Sequence, residues 1–519
     1  MYRATKTCLN RLLIVCVLAF FTAANTQADE RGMLDKAVLI SKNKGTIYDL
    51  LKDISAQSGL LFIYDSRIIN NDKKVKIKKG EYSLHDAIYL ITENKNLQID
   101  ISGEYILLRL ADKKTTASEE SSITTKDANF TAGGHLSDRE TGEAIAFASV
   151  GILNTSIGTI TNQDGKFQLV VADSLLNHKI KFSHIGYENQ EIDISLLKEE
   201  FVNIEMNPQA VSLKEVVVNA INPESVLNDM RNNRATNYAT EPALLTTFYR
   251  EGIDHNGRNI DLTESVLQVY KTGLKNSVAE DQAKLIKKRR MVNRNKADTI
   301  FPKMRSGINS CLILDIIKEL PEFIDPSGQA PYKYSHIEKS TIDGRLVDVI
   351  AFKQNEHIKE PLYTGKLFIE TENKALAEVR FEINPNLASK ATHTFIDKKA
   401  TGLKIDLQQA RYIVSYKLSG DGLYYINHVR GDIRFKIRRK RQIFSSPLHF
   451  WFEMVTCKVD TDNVRPFPQR ERLSTTRIFA ETKHDYDRDF WKNFNIILPE
   501  DRLKENIIRN LNNILVTEQ

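Results

Sequence analysis

The apolar positions change their period several times along the chain, and each change marks a different kind of element. Leu12 to Ala24 is one continuous apolar run. From residue 36 the patterns shorten. Val38, Leu39 and Ile40 predict a strand, and Ile47, Leu50, Leu51 and Ile54 then recur at helical spacing, with Gly59 where a C-cap belongs. Leu60 to Tyr64 reads as an apolar strand, and Val75 and Ile77 alternate with lysines as a half-exposed one. Ser83 is a good N-cap for a second helix carrying Leu84, Ala87, Ile88 and Ile91 on one face. Leu97, Ile99 and Ile101 alternate, and Tyr105 to Leu108 closes the unit after a turn at Gly103. Residues 36–110 are therefore expected to form strand–helix–strand twice over, a small α/β domain.

Residues 111–129 are rich in Lys, Thr, Ser, Asp and Glu without any apolar period, which predicts a flexible linker. Across 130–208 short strands are punctuated by Gly, Asn and Asp, the pattern of a small β-sandwich. Thr141-Gly142 and Asp164-Gly165 are expected to be hairpin turns, with Phe167, Leu169 and Val171 on one face of a strand. The run Val216 to Val218 reads as a last strand. In residues 220–519, Asn222-Pro223-Glu224 opens a helix bearing Val226, Leu227 and Met230. Strands follow at Leu244–Arg250, Ser265–Tyr270, Leu346–Phe352, Gly365–Glu370 and Ala375–Ile383. Others are expected at Arg411–Leu418, Leu423–Val429, Asp432–Ile437 and Phe450–Cys457, with a helix inserted at Leu312–Leu320. Short polar turns, such as His255-Asn256-Gly257, make this a larger, mainly antiparallel β domain with inserted helices.

The first apolar run has a targeting character. Arg3, Lys6 and Arg11 precede it, no acidic residue occurs before Asp29, and Thr26-Gln27-Ala28 offers small residues at a cleavage site. Residues 1–28 are expected to be a secretory signal peptide, since the run is shorter than the roughly 20 residues of a membrane span. Hydrophobic residues make up 41% and charged residues 27% of the 519 positions, which is ordinary for globular protein. Of the formal charge of +6 the segment 1–28 carries three, leaving +3 for the remainder, a balance that argues against nucleic acid as a partner. Cys311 and Cys457 remain after Cys8 and Cys16 leave with that segment; an oxidising compartment permits one disulfide and requires none.

The step from the first helix into Gly59 to Phe62, and the second helix beginning Ser83-Leu84 and reaching Ala87-Ile88, resemble the secretin and TonB short N-terminal domain. That resemblance implies a small docking unit of the periplasm without catalytic residues. Gly134, Asp138, Thr141-Gly142-Glu143, Ala148-Ser149-Val150, Gly158-Thr159, Thr161, Asp164-Gly165, Phe167 and Ile185-Gly186-Tyr187 stand in the order of the carboxypeptidase regulatory-like domain, which they resemble. It implies a prealbumin-like β-sandwich, the non-catalytic appendage of the zinc carboxypeptidases. Both modules occur at the periplasmic front of TonB-dependent outer-membrane receptors. Here only about 300 residues follow, too few for their 22-stranded barrel. Phe248 to Glu251, Glu280 to Gln282 and Phe490 to Ile497 resemble uncharacterised envelope proteins that also carry the regulatory-like domain. The shape of Thr364–Glu372 with the return strand after it is similar to the open half-barrels of periplasmic lipoprotein carriers, an analogy of fold alone.

No catalytic, cofactor-binding or metal-binding residue is assigned. His357-x-x-Glu360 has the first half of a zinc-ligand spacing, but zinc needs a third ligand and an open position. Asp254-His255 and His484-Asp485 are adjacent pairs, which point to opposite faces of a strand. The basic clusters Lys284, Lys287, Lys288, Arg289, Arg290, Arg294, Lys296 and Lys436, Arg438, Arg439, Lys440, Arg441 are expected to be solvated surface. The expected function is that of a non-enzymatic protein at the periplasmic face of the outer membrane, acting by docking or ligand binding. Its partner through residues 36–110 would be an outer-membrane barrel or an anti-sigma-type regulator, with a lipid or glycan as a further ligand and a link to TonB-dependent uptake or its signalling. The alternative is a periplasmic carrier of a lipid or hydrophobic ligand, held in the C-terminal β domain.

Overall fold

Side-chain caps fix the helices of the first unit where the sequence places them. The computed structural model describes residues 33–64, 69, 73–102, 105–110, 129–197, 201–209, 221–293, 303–304, 307–326, 331–398, 402–440, 443–475, 479, 482, 490–491, 494, 496–501, 503 and 514–516. The stretch 1–28, nearly all of the linker, Val216 to Val218, His484-Asp485, Arg294 and Lys296 lie outside them. The chain divides into two compact units, and residues 33–110 belong to the first.

In that first unit α1 (Ile47–Ser58) is capped by the Thr46 side chain, which accepts from the Asp49 N–H, and ends at Gly59 with φ +76°. Helix α2 (Leu84–Thr92) is capped in the same way by Ser83 on the Asp86 N–H. The strands are β1 (Ala37–Ile40), β2 (Lys44–Thr46), β3 (Leu61–Tyr64), β4 (Lys74–Lys76), β5 (Gly80–Ser83), β6 (Leu97–Ser102) and β7 (Tyr105–Leu110). Only β3 and β7 run parallel, with β6 antiparallel on the far side of β7; β1–β5 and β2–β4 are separate antiparallel pairs. The doubled strand–helix–strand reading is corrected to this extent. Strands β2 and β5 contain Gly45 and Gly80 and too few residues to show an alternation, so no periodicity announces them. Ile47, Leu50, Leu51, Phe62, Leu84 and Ile88 meet in a dry core.

The second unit begins with the sandwich. Its strands are β8 (Asn129–Asp138), β9 (Ser149–Ile152), β10 (Gly158–Ile160), β11 (Lys166–Ala172), β12 (Lys179–Ser183), β13 (Gln190–Asp193) and β14 (Phe201–Met206). They form two sheets, ordered β11-β8-β14 and β10-β9-β12-β13. Phe167, Leu169 and Val171 are fully buried, and Phe167 meets Phe182 of the facing sheet edge-on at 5.1 Å. Thr141-Gly142 is a tight reversal closed by an Asp138 N–H to Glu143 carbonyl bond of 2.8 Å. Asp164-Gly165 is a tight turn closed by the Asn162 N–H to Lys166 carbonyl bond of 2.8 Å, with Gly165 at φ +73°, although β10 and β11 belong to different sheets. It passes the chain across the sandwich, and a Cβ at Gly165 would stand 2.3 Å from the Leu136 carbonyl oxygen.

Beyond the sandwich comes one large antiparallel sheet. Its strands are β15 (Ala243–His255), β16 (Arg258–Lys271), β17 (Gln282–Asn293), β19 (Tyr332–Ile342), β20 (Arg345–Gln354), β21 (Tyr363–Glu370), β22 (Leu376–Ile383), β24 (Leu403–Leu418), β25 (Tyr424–Arg439) and β26 (Ser446–Asp460). The order is β19-β20-β21-β22-β24-β25-β26-β15-β16-β17, and β18 (Lys303–Met304) pairs separately with β23 (Ile396–Lys398). Three expectations fail here. Leu423–Val429 and Asp432–Ile437 are one strand, β25, because Gly431 is a close approach rather than a turn: a Cβ there would meet the Phe452 ring at 2.4 Å. The inserted helix lies earlier, at α4 (Gly307–Ile313), following α3 (Pro223–Asn232). Strands β17 and β19 are additions to the expected set, since lysines and arginines mask the alternation of β17.

One face of this sheet is filled. Leu367, Ile369, Val379, Phe381, Val414 and Phe452 pack there against Val226, Leu227 and Met230 of α3. Phe323 stacks on Phe352 at 4.6 Å. Bulges at Phe368/Ile369, Leu407/Gln409 and Ser415/Tyr416 add twist and bend β21, β22, β24 and β25. Cys311 and Cys457 are both buried, form no disulfide, and sit in separate apolar clusters.

Candidate functional site

The opposite face of the sheet carries the site, and strand register builds it row by row. Ser335, Ala351, Lys366, Arg380 and Ile413 stand opposite one another across β19, β20, β21, β22 and β24. Beside them runs a second row, Lys333, Lys353, Thr364, Glu382, Arg411 and Asp432. Together with Phe368 these residues line an open concavity of about 1730 Å³, part of it continuous with solvent. Ala351, Phe368 and Ile413 give it an apolar floor, and the methylenes of Lys366 and Arg380 extend that floor while their charged ends reach water. The Arg380 guanidinium lies 5.2 Å from the centre of the Phe368 ring and is paired with Glu378.

The sandwich packs on the sheet next to Phe368. Ile185 packs on Val347, Val349 and Phe368, the Gly186 N–H donates to the Thr341 carbonyl at 2.8 Å, and Lys181 pairs with Asp343 at 2.8 Å. Burial drives the His184 imidazole, near Glu378 and Arg380, down to about 4. The folded protein thus keeps His184 neutral where the unfolded chain, titrating near 6.5, already binds a proton. Stability should therefore fall as the pH is lowered from 7 towards 4. Urea unfolding at pH 7.5 and pH 5 is expected to show a smaller drop for His184→Gln than for the parent; an equal drop would remove His184 as the cause.

The row through Ile413 continues as a buried ladder of charge. Arg430, Glu453, Arg250, Glu264 and Arg289 stand directly opposite one another on β25, β26, β15, β16 and β17, alternating in sign. Arg250 and Glu453 are wholly inaccessible and paired with each other, and Arg430 reaches Glu453 at 3.2 Å. Burial alone would raise the Glu453 carboxyl; the Arg250 and Arg430 guanidiniums outweigh it and hold the group well below the usual carboxylate range. Trp451 lies between the two arginines, at 5.3 Å and 5.5 Å, and Phe147 of the sandwich covers Arg430 at 5.2 Å. Gly252 admits that indole, since a Cβ would stand 2.5 Å from it. From the C-terminal segment Glu500 accepts from Arg250 at 2.8 Å, while Asn162 of the sandwich donates to the Leu498 carbonyl at 3.1 Å.

The first basic cluster is corrected accordingly. Arg289 pairs with Glu264 at 2.6 Å and lies over Trp491 at 4.5 Å; Arg290 pairs with Asp261, and Lys284 with Glu471 at 2.6 Å. Lys288 is buried, donates to the Phe479 carbonyl at 3.0 Å, and is pushed down to about 8 by burial and by Arg290. In the second cluster Lys436, Arg438 and Lys440 are exposed. Of the histidine patterns, His357 and Glu360 are exposed on a turn. Asp254 meets His449 at 3.3 Å, while its neighbour His255 meets Ser446 at 2.9 Å. A second, smaller cavity of about 450 Å³ lies at the filled face between Tyr238, Leu245, Lys271, Asp315, Tyr416 and Tyr425. Among the described residues no cluster of three or more His, Cys, Asp or Glu is arranged to hold a metal, and no helix is long and apolar enough to cross a membrane.

With this geometry in place, the sandwich has a family. Residues 132–218 match the model of the CarboxypepD_reg-like domain, so this segment is a regulatory-like domain of that type. No curated protein matches the chain. Among solved structures, a domain of an outer membrane lipoprotein-sorting protein from Vibrio parahaemolyticus is 11% identical and covers 47% of this chain and 95% of its own, at a TM-score of 0.20. A DUF1329 family protein from Desulfovibrio piger is 9% identical over 47% of this chain and 96% of its own, at 0.22. Lipovitellin is 6% identical over 44% of this chain and 26% of its own, at 0.21. Likenesses with TM-scores this low define neither a fold nor a function for this chain.

Proposed function

We propose that this is a non-enzymatic, exported binding protein of the cell envelope that holds a lipid or other hydrophobic ligand on the open face of its large sheet. One observation carries the reading: a concavity of about 1730 Å³ whose floor is Ala351, Phe368 and Ile413 and whose rim is charged. Small-molecule sites enclose about 300–1,000 Å³ behind mainly apolar walls with a few placed polar groups; with the open solvent left out this concavity holds about 920 Å³, which is room for an acyl chain. The test is native mass spectrometry of the full chain purified from its exporting host. A lipid mass lost on denaturation is expected; a chain that carries none and takes up none when offered vesicle lipid contradicts the reading.

Docking through residues 36–110 to an outer-membrane barrel or an anti-sigma-type regulator is a second, compatible role. What favours it is the edge of β1. Leu39 is 56% exposed there, and its N–H and carbonyl are met by the Gln57 side-chain amide, at 2.7 Å and 2.9 Å, rather than by another strand.

A further inference from the structure

The floor of the concavity accounts for an apolar ligand but not for the lysines at its corner. Lys333 of β19 and Lys353 of β20 are register partners, side by side on the open face. Directly opposed side chains stand about 5 Å apart at Cβ, and like charges so placed repel. Both are exposed, and among the described residues neither has an acidic partner. The acids that share the concavity are already engaged. Glu382 accepts from Arg411 at 2.9 Å and from Gln409 at 3.1 Å; Asp432 accepts from Arg430 at 2.8 Å and His449 at 3.0 Å. Lys366, one row inward, has only Glu338 at 3.9 Å, with both side chains in solvent.

Taking the ligand-binding reading as its basis, we infer that the ligand is an anionic amphiphile. Its carboxylate or phosphate head is seated between Lys333 and Lys353, and its chain is laid across β20, β21, β22 and β24 over Ala351, Phe368 and Ile413. An anion between the two ammonium groups turns their mutual repulsion into two charge-assisted hydrogen bonds. The apolar floor begins one row away, about 7 Å along the strands, and crossing from β20 to β24 spans about 14 Å, which a medium-length acyl chain covers. The head lies at the solvent-exposed corner and the tail runs inward, so neither lysine has to lose its hydration fully.

The experiment titrates the delipidated full chain with oleate, with oleoyl lysophosphatidic acid and with neutral 1-oleoylglycerol. Parent and Lys333→Glu/Lys353→Glu proteins are compared by calorimetry, and native mass spectra are recorded alongside. At least one anionic lipid is expected to bind the parent about tenfold or more tightly than the neutral one. Raising the salt should narrow that gap, and the double charge reversal should abolish it. Whichever of oleate and the phosphate monoester binds tighter identifies the head. Equal affinities in the parent overturn the head-group inference and leave the ligand-binding reading standing. Binding of none of the three overturns both. A lipid-free dimer lost on charge reversal assigns the face to a second copy of the chain and also overturns it.

Discussion

Replacing Glu453 by leucine is expected to lower stability by about 3–5 kcal/mol, a large loss for a single side chain. Glu453 is the carboxylate between Arg250 and Arg430, and all three side chains are buried. Leucine fills much of the space but leaves two guanidiniums facing one another without the charge that separated them. Glu500 still pairs with Arg250 and Asp432 with Arg430. The cost is therefore that of leaving two adjacent buried cations short of a shared carboxylate, not of losing an exposed ion pair, which is worth about 0–1 kcal/mol. Arg411→Ala, which opens the exposed pair with Glu382, is the matched control and is expected to change stability by less than about 1 kcal/mol. The pH dependence has a definite sign. A carboxyl held below its ordinary value stabilises the fold above that value, and the contribution is lost as the pH falls through the depressed one. Parent protein should lose this increment progressively as the pH falls below the ordinary carboxylate range of about 4.5, and the leucine variant has none to lose. Urea unfolding at pH 7 that finds less than about 1 kcal/mol between parent and variant would contradict the ladder as a structural element.

Ile413→Glu is expected to weaken fatty-acid binding by tenfold or more with little effect on folding. Ile413 is half-buried on the floor of the concavity, with Arg380 on one side of it in register and Arg430 on the other. In the free protein a glutamate there is hydrated or pairs with Arg380, so the fold tolerates it. Under an acyl chain the same carboxylate must lose water without gaining an equivalent partner, a penalty of about 1–3 kcal/mol or more. Binding measured by displacement of a fluorescent fatty acid should fall, and the thermal midpoint should move little. Unchanged affinity in a folded variant would take the ligand off this face.

The small domains are the most legible part of the chain, because their signals are local. Thr46, Ser83 and Gly59 mark helix ends within one turn, and Phe167, Leu169 and Val171 reveal a buried strand face within a few residues. The large sheet is legible as strands but not as faces. Its row Arg430, Glu453, Arg250, Glu264, Arg289 exists only through pairing between segments as far as 203 positions apart, a relation that no local window contains. Lys284 to Arg290 resemble a solvated basic run for the same reason: each cation's partner lies on another strand or in the C-terminal segment. Gly431 suggests a turn because a glycine's local meaning is a turn, whereas its use here is to let the Phe452 ring in. Of the concavity, only the segment Thr364–Glu372 carries a signal, through its likeness to an open half-barrel. Lys333, Lys353 and Ile413 carry no motif, and what makes them a site is register and the curvature that bulges supply.

Labelling in place decides whether the ligand lies on the open face of the sheet. A fatty acid bearing a photoreactive diazirine near its chain end is bound to the full protein, irradiated, and its adducts are mapped to peptides. Adducts are expected on Arg345–Gln354, Tyr363–Glu370 and Arg411 to Leu418, all lost in the Ile413→Glu protein. Adducts confined to the tyrosine-lined cavity at Tyr238 and Tyr425, or falling only on residues 33–110, would contradict it.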